Sequence, residues 1–133
     1  MHNQSRNRLA GTVSFHPVLG GAVMAHREHQ SCIEACVRCA QECEHCATAC
    51  LGESDVKMMA ECVRLDRDSA AVCWLAAALM SRRSEFDADI CRVCAAVCDA
   101  CGAECAKHKH DHCQRCAEAC RACAEACRAM AAA

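Results

Sequence analysis

The sequence predicts an all-α fold: an antiparallel up-down-up-down four-helix bundle with a cysteine-lined core. Three observations carry that prediction. Cys32, Cys36, Cys39, Cys43, Cys46 and Cys50 recur at intervals of 4, 3, 4, 3 and 4, the a/d rhythm of a bundle helix. The rhythm returns at Cys91, Cys94, Cys98, Cys101 and Cys105, and again at Cys113, Cys116, Cys120, Cys123 and Cys127. The connections between the periodic stretches are short, as in an up-and-down bundle.

Residues 1 to about 23 have no sustained period and contain Pro17 and the Gly20-Gly21 pair. They are expected to form an irregular arm or a short helix beside a bundle spanning 24–133. The first helix is placed at about 24–51, because no Gly or Pro interrupts it and Gly52 follows, a natural stop. Its six thiols lie on one stripe roughly 27 Å long at ~1.5 Å per residue. His29 falls on the same stripe, and Glu42 and His45 fall outside it.

The second helix is placed at about 54–82, with Ser54 as N-cap. Its inward stripe reads Met58 or Met59, Cys62, Leu65, Ser69, Cys73, Ala76 and Met80. Trp74 and Leu75 lie off that line, so this helix either seals the bundle by ordinary packing or offers an outer apolar face to another subunit. The third helix is placed at about 84–107, opening on Ser84 with Asp87 in the acidic position of a capping box. Gly102 inside it points to a close backbone approach. The fourth is placed at about 111–130, opening on Asp111 with Gln114 at the matching position.

Composition narrows the function. Eighteen of 133 residues are cysteine, about 14%, above the roughly 8–10% that marks a sulfur-based scaffold. The first thirty residues have no continuous apolar run ending in a small-x-small site, which places the chain in the cytoplasm. In that reducing compartment cysteine clusters are metal sites more often than disulfides. A formal net charge of −2 and an aromatic content of 2% argue against a nucleic-acid partner. No stretch approaches the roughly 20 apolar residues of a membrane span.

Residues three or four apart on a helix have Cβ atoms about 5–6 Å apart, so two thiolates can meet around one ion. Seven CxxxC pairs occur, such as Cys32-Cys36 and Cys123-Cys127, and the CxxC steps between them let each sulfur be shared with the next ion. All eighteen cysteines, Cys62 and Cys73 included, are therefore metal-ligand candidates. Soft all-thiolate coordination selects Cu(I), Zn(II) or iron–sulfur clusters. Zinc wants separate closed sites of four ligands, and cluster ligands sit in loops of defined spacing. A continuous helical ladder suits bridging Cu(I), with a capacity of roughly one ion per cysteine. The alternative is an iron–sulfur or zinc-binding cysteine-rich protein acting as electron carrier or metal sensor. An enzymatic role is not indicated, because the single Glu-x-x-His, Glu42 to His45, points outward.

Up-down-up-down topology brings Met58, Met59, His108, His110 and His112 to one end of the core, and His29, Met80 and Met130 to the other. Copper is expected to enter at the Met58, Met59, His108 and His110 end. His108 is the favoured ligand there, because it extends the stripe of the third helix by one heptad step.

The CxxxC-rich first, third and fourth helices, the sparser second helix, the lack of a signal sequence and the His/Met end resemble the bacterial copper storage proteins of the Csp family, cytosolic type. The resemblance covers roughly residues 25–130. It implies a four-helix bundle, a homotetramer and Cu(I) held by cysteine pairs along the tube, with no catalytic turnover. A copper chaperone or a small thiol would deliver and remove the metal.

Overall fold

The computed structural model describes residues 17–133, with side chains from His29 onward. Four α-helices follow in order: α1 (Pro17–Leu51), α2 (Ala60–Ser81), α3 (Asp87–Cys105) and α4 (Asp111–Ala132), with a 3₁₀ turn, Val56–Met59, ahead of α2. No strand occurs among the described residues. The packing runs in ring order, α1 on α2, α2 on α3, α3 on α4 and α4 back on α1, which is the expected up-down-up-down bundle.

Helix α1 starts earlier than expected. Pro17 opens it, and proline is well suited to a first helical position, where its fixed φ fits and its missing N–H costs no bond. Residues 17–23 are thus helical rather than irregular, and the remainder of the expected arm, 1–16, lies outside the described residues.

The second helix begins later than expected, and Ser54 does not cap it. Gly52 and Glu53 turn the chain with bonds from their N–H groups to Ala49 O (3.1 Å) and Cys50 O (3.2 Å). Met58 N–H then donates to Asp55 O at 2.9 Å. This tight 3₁₀ turn swings Met59 fully into the core and leaves Met58 73% exposed.

At the other end α2 stops in a two-bond C-cap. Ser84 N–H donates to Leu79 O (3.0 Å) and Arg83 N–H to Met80 O (3.1 Å), with Arg83 in the left-handed region at φ 54°. Ser84 therefore belongs to this turn, where its Oγ accepts from Phe86 N–H at 3.1 Å, and α3 begins at Asp87. Asp87 does not reach back as a capping box would; its carboxylate meets His29 of α1 at 3.1 Å. Gln114 likewise serves the preceding connection, donating to His108 O (2.6 Å) and Ala106 O (3.3 Å).

Every cysteine is buried, none more than 1% exposed, and the rest of the core is mostly alanine, including Ala40, Ala70, Ala76 and Ala124. Met59, Met80 and Met130 are its longest apolar side chains. Trp74 and Leu75 are 42% and 45% exposed and give α2 an outer apolar face. Small core residues let the helices approach closely, and Gly102 marks the limit: a Cβ there would stand 3.2 Å from Cys120 Cβ. Gly102→Val should therefore push α3 off α4 and lower apo stability by about 1–3 kcal/mol, read as a fall in the denaturation midpoint with unchanged m-value.

Candidate metal centre

Helical spacing alone aims the thiols of α1, α3 and α4 at the bundle axis, and the structure stacks them into a column. Sulfurs meet across helices at Cys62–Cys105 (3.2 Å), Cys43–Cys116 (3.5 Å), Cys39–Cys120 (3.6 Å), Cys36–Cys123 (3.6 Å) and Cys32–Cys127 (3.8 Å). They also meet along a helix, as at Cys39–Cys43 (3.9 Å) and Cys101–Cys105 (3.9 Å). A metal–sulfur bond is about 2.3 Å, so two sulfurs up to about 4.6 Å apart can hold one ion. All eighteen sequence-predicted cysteines fall in the buried core, Cys62 and Cys73 of α2 with them.

The column resolves into overlapping quartets. Cys46, Cys50, Cys62 and Cys113 form one end, followed by Cys46, Asp66, Cys105 and Cys116, and then by Cys43, Cys101, Cys116 and Cys120. Cys39, Cys73, Cys98 and Cys123 come next, followed by Cys36, Cys94, Cys123 and Cys127. Cys46, Cys116 and Cys123 each belong to two quartets. The groups are therefore not separate closed sites.

Two participants were not among the expected ligands. Asp66, fully buried, replaces Leu65 on the inward stripe of α2, which runs Cys62, Asp66, Ser69, Cys73, Ala76 and Met80 at steps of 4, 3, 4, 3 and 4. Its Oδ1 accepts from the thiols of Cys101 (3.2 Å), Cys105 (3.3 Å) and Cys116 (3.2 Å). Counting back from Cys73 by the alternating step would have found it. The apolar character of Leu65 argued for the wrong neighbour. Ser69 also faces sulfur, with Oγ 3.4 Å from Cys98 Sγ.

The second is His112. Its Nδ1 lies 3.4 Å from Cys46 Sγ, 3.5 Å from Cys113 Sγ and 3.9 Å from Cys50 Sγ, while Nε2 lies 3.0 Å from Glu53 Oε1. Its place in the first turn of α4, beside Cys113, was the available signal. His110 stacks on it with centroids 5.3 Å apart and sits 3.2 Å from Asp55, so it belongs to the rim. His108 lies off the column: its ring is committed to Glu104 one turn back, at 2.9 Å. Met58 points to solvent, and Met59 alone of that pair enters the core.

Electrostatics follow from burial. Burial raises the Asp66 carboxyl, and the neighbouring Cys105 and Cys46 raise it further, to about 10. Burial likewise pushes the Cys50 thiol up to about 12. Contacts among the sulfurs lower other thiols, those of Cys43, Cys98, Cys105 and Cys127, and Cys46 with them: Cys105 raises it, but Cys116, Cys62 and, beyond the burial penalty, His112 bring it down to about 5. Burial opposes charge on His112, but the Cys46 sulfur and Glu53 carboxylate outweigh it and raise the imidazole above its ordinary value. Cys46 and His112, 3.4 Å apart, thus mark this end of the column, each favouring the charged form of the other.

The Asp66 shift predicts a pH dependence. Between 3.8 and about 10 the buried carboxyl keeps its proton while the unfolded chain has lost it, so apo stability falls as pH rises, by up to about 1.4 kcal/mol per pH unit. The groups facing it are Cys46 of α1, Cys62 of α2, Cys101 and Cys105 of α3, and Cys116 of α4. Asp66→Asn should flatten this slope in denaturant unfolding at pH 5 and pH 8.

Comparison with known proteins agrees with this geometry. The chain resembles a Cu(I)-bound copper storage protein, BsCsp3, from Bacillus subtilis, with 52% identity over 78% of this chain and 98% of that one, and a TM-score of 0.76. It also resembles a cytosolic copper storage protein from Streptomyces lividans carrying five coppers, with 44% identity over 83% of this chain and 97% of that one, and a TM-score of 0.80. The uncharacterized cysteine-rich protein YhjQ of Bacillus subtilis (strain 168) is 53% identical over 68 residues, 51% of this chain. The match spans 63% of that relative's length. The family model for copper storage protein, Csp, matches residues 25–132. The chain belongs to the Csp family of copper storage proteins.

Proposed function

We propose that this protein stores Cu(I) along its axis, roughly one ion per cysteine, in the cytosol and without catalytic turnover. The observation that carries the reading is the unbroken column of buried sulfurs with Cys46, Cys116 and Cys123 shared between successive quartets. Sharing suits Cu(I), which is content with two or three thiolates and accepts bridging. Zinc would need each tetrahedral site to own its four ligands. The copper carried by the related B. subtilis and S. lividans proteins supports the same choice.

Loading is an exchange of protons for metal. Each neutral thiol that binds releases one proton as the Cu(I)–thiolate bond forms, so the core stays close to neutral while it fills. The Cys46 and His112 end is the natural port, because the imidazole there faces the sulfurs of Cys46, Cys50 and Cys113 and is oriented from behind by Glu53. An ion arriving there passes from Cys46 to Cys116 and onward by ligand exchange. Such a port takes copper from a chaperone or a small thiol and returns it the same way. No helix among the described residues is long and apolar enough to cross a membrane. The outer apolar face of α2, with Trp74 and Leu75, supports association of four copies into a homotetramer.

Anaerobic titration of the reduced protein against a chromophoric Cu(I) chelator should give a stoichiometry near the cysteine count with no visible absorption and with protons released. Binding of only a few ions would overturn the reading. His112→Ala should slow loading several-fold at nearly unchanged capacity in stopped-flow transfer from a Cu(I) complex. His108→Ala, off the column, should leave the rate close to that of the unaltered protein.

A further inference from the structure

The inward stripe of α2 is bounded by methionine at both ends. Met59 and Met80 are 0% and 1% exposed, 21 positions apart, or about 31 Å along a helix. Met59 lies at the end that holds His112. Met80 lies at the opposite end, beyond the quartet of Cys36, Cys94, Cys123 and Cys127. There Cys32 and Cys127 stand 3.8 Å apart, and both act on the thiol of Cys91, Cys127 first, raising it above its ordinary range. That thiol donates to Met80 Sδ at 3.7 Å. A thioether is thus built into the same sulfur network, in contact with a thiol rather than with hydrocarbon.

Met80 also borders a pocket of about 220 Å³, lined with His29, Gln30, Ile33, Ser81 and Arg83. Cys91 does not line it. The methionine therefore stands between the pocket and the thiols. The pocket rim is polar and partly charged, with His29 held to Asp87 at 3.1 Å, while its floor is a neutral soft donor. A thioether carries no proton to displace and no charge, so it binds soft monovalent copper while discriminating against hard cations. Passing an ion on to Cys91 then costs one thiol proton, which leaves through the same pocket.

We propose that Met80 and Cys91 form a thioether–thiolate Cu(I) site at the end of the column opposite His112, and that it serves as a second port. The proposal rests on the storage reading above, since a port matters only if the column carries copper. It gives the tube two openings of different chemistry. The His112 end offers an imidazole facing three thiols; the Met80 end offers a neutral thioether that holds copper less tightly and so suits transfer.

Selenium absorption spectroscopy tests the site directly. Full-length protein grown with selenomethionine, then loaded with Cu(I) to a few equivalents and to saturation, should show a selenium–copper scattering path. Met80→Leu, which conserves volume, should lose most of that path while keeping copper capacity near the cysteine count. Absence of the path in the parent, or its full retention in Met80→Leu, overturns the site. The port is tested by kinetics. Adding Met80→Leu to His112→Ala should slow loading several-fold beyond His112→Ala alone, and equal rates overturn it. A failure of storage itself reads differently: copper uptake would then be small in the parent and in Met80→Leu alike.

Discussion

Everything in this molecule depends on keeping a dry column of eighteen sulfurs electrically neutral. An ionised thiolate buried without a partner is too costly to tolerate, whereas a protonated thiol packs as a small hydrophobe. The same side chains must serve both states, holding mostly protons when empty and metal when full. That requirement explains the rest of the core. Alanine fills the gaps because anything larger would hold the sulfurs apart, and Gly102 appears where even a methyl group would press on Cys120. Turns are short and the helices uninterrupted because a broken helix would rotate one set of thiols off the axis.

The helices and the sulfur column were readable in the sequence because the 3,4 spacing of cysteine on α1, α3 and α4 is redundant: five or six residues agree on one face. On α2 only Cys62 and Cys73 define the phase, and eleven positions separate them. Two routes between them are then open at the first step, and hydrophobicity chose Leu65 where the structure has Asp66. A buried carboxyl is tolerated here because three thiols donate to one of its oxygens. That is a tertiary fact with no local signature.

The ends of the helices were harder for a different reason. Capping residues compete for partners, and a partner on another element can win. Asp87 went to His29, and Gln114 went to the carbonyls of the preceding connection. Met59 was drawn inward by the core and tightened the chain into a 3₁₀ turn. His108 continued the heptad count of α3, but α3 ends at Cys105, so the count no longer predicted a direction. His112, fixed by the opening turn of α4, took the place at the sulfurs instead.

The sulfurs common to two quartets make the column a one-dimensional lattice with nearest-neighbour coupling. Where quartets share a sulfur, occupying one fixes and deprotonates a ligand of the other, so the boundary between filled and empty stretches carries an energetic penalty. A partly loaded population would then hold its copper in contiguous blocks instead of scattering it evenly. Storage in such a lattice has a front that advances and retreats, and how much metal can be withdrawn at once is set by the position of that front more than by the total held.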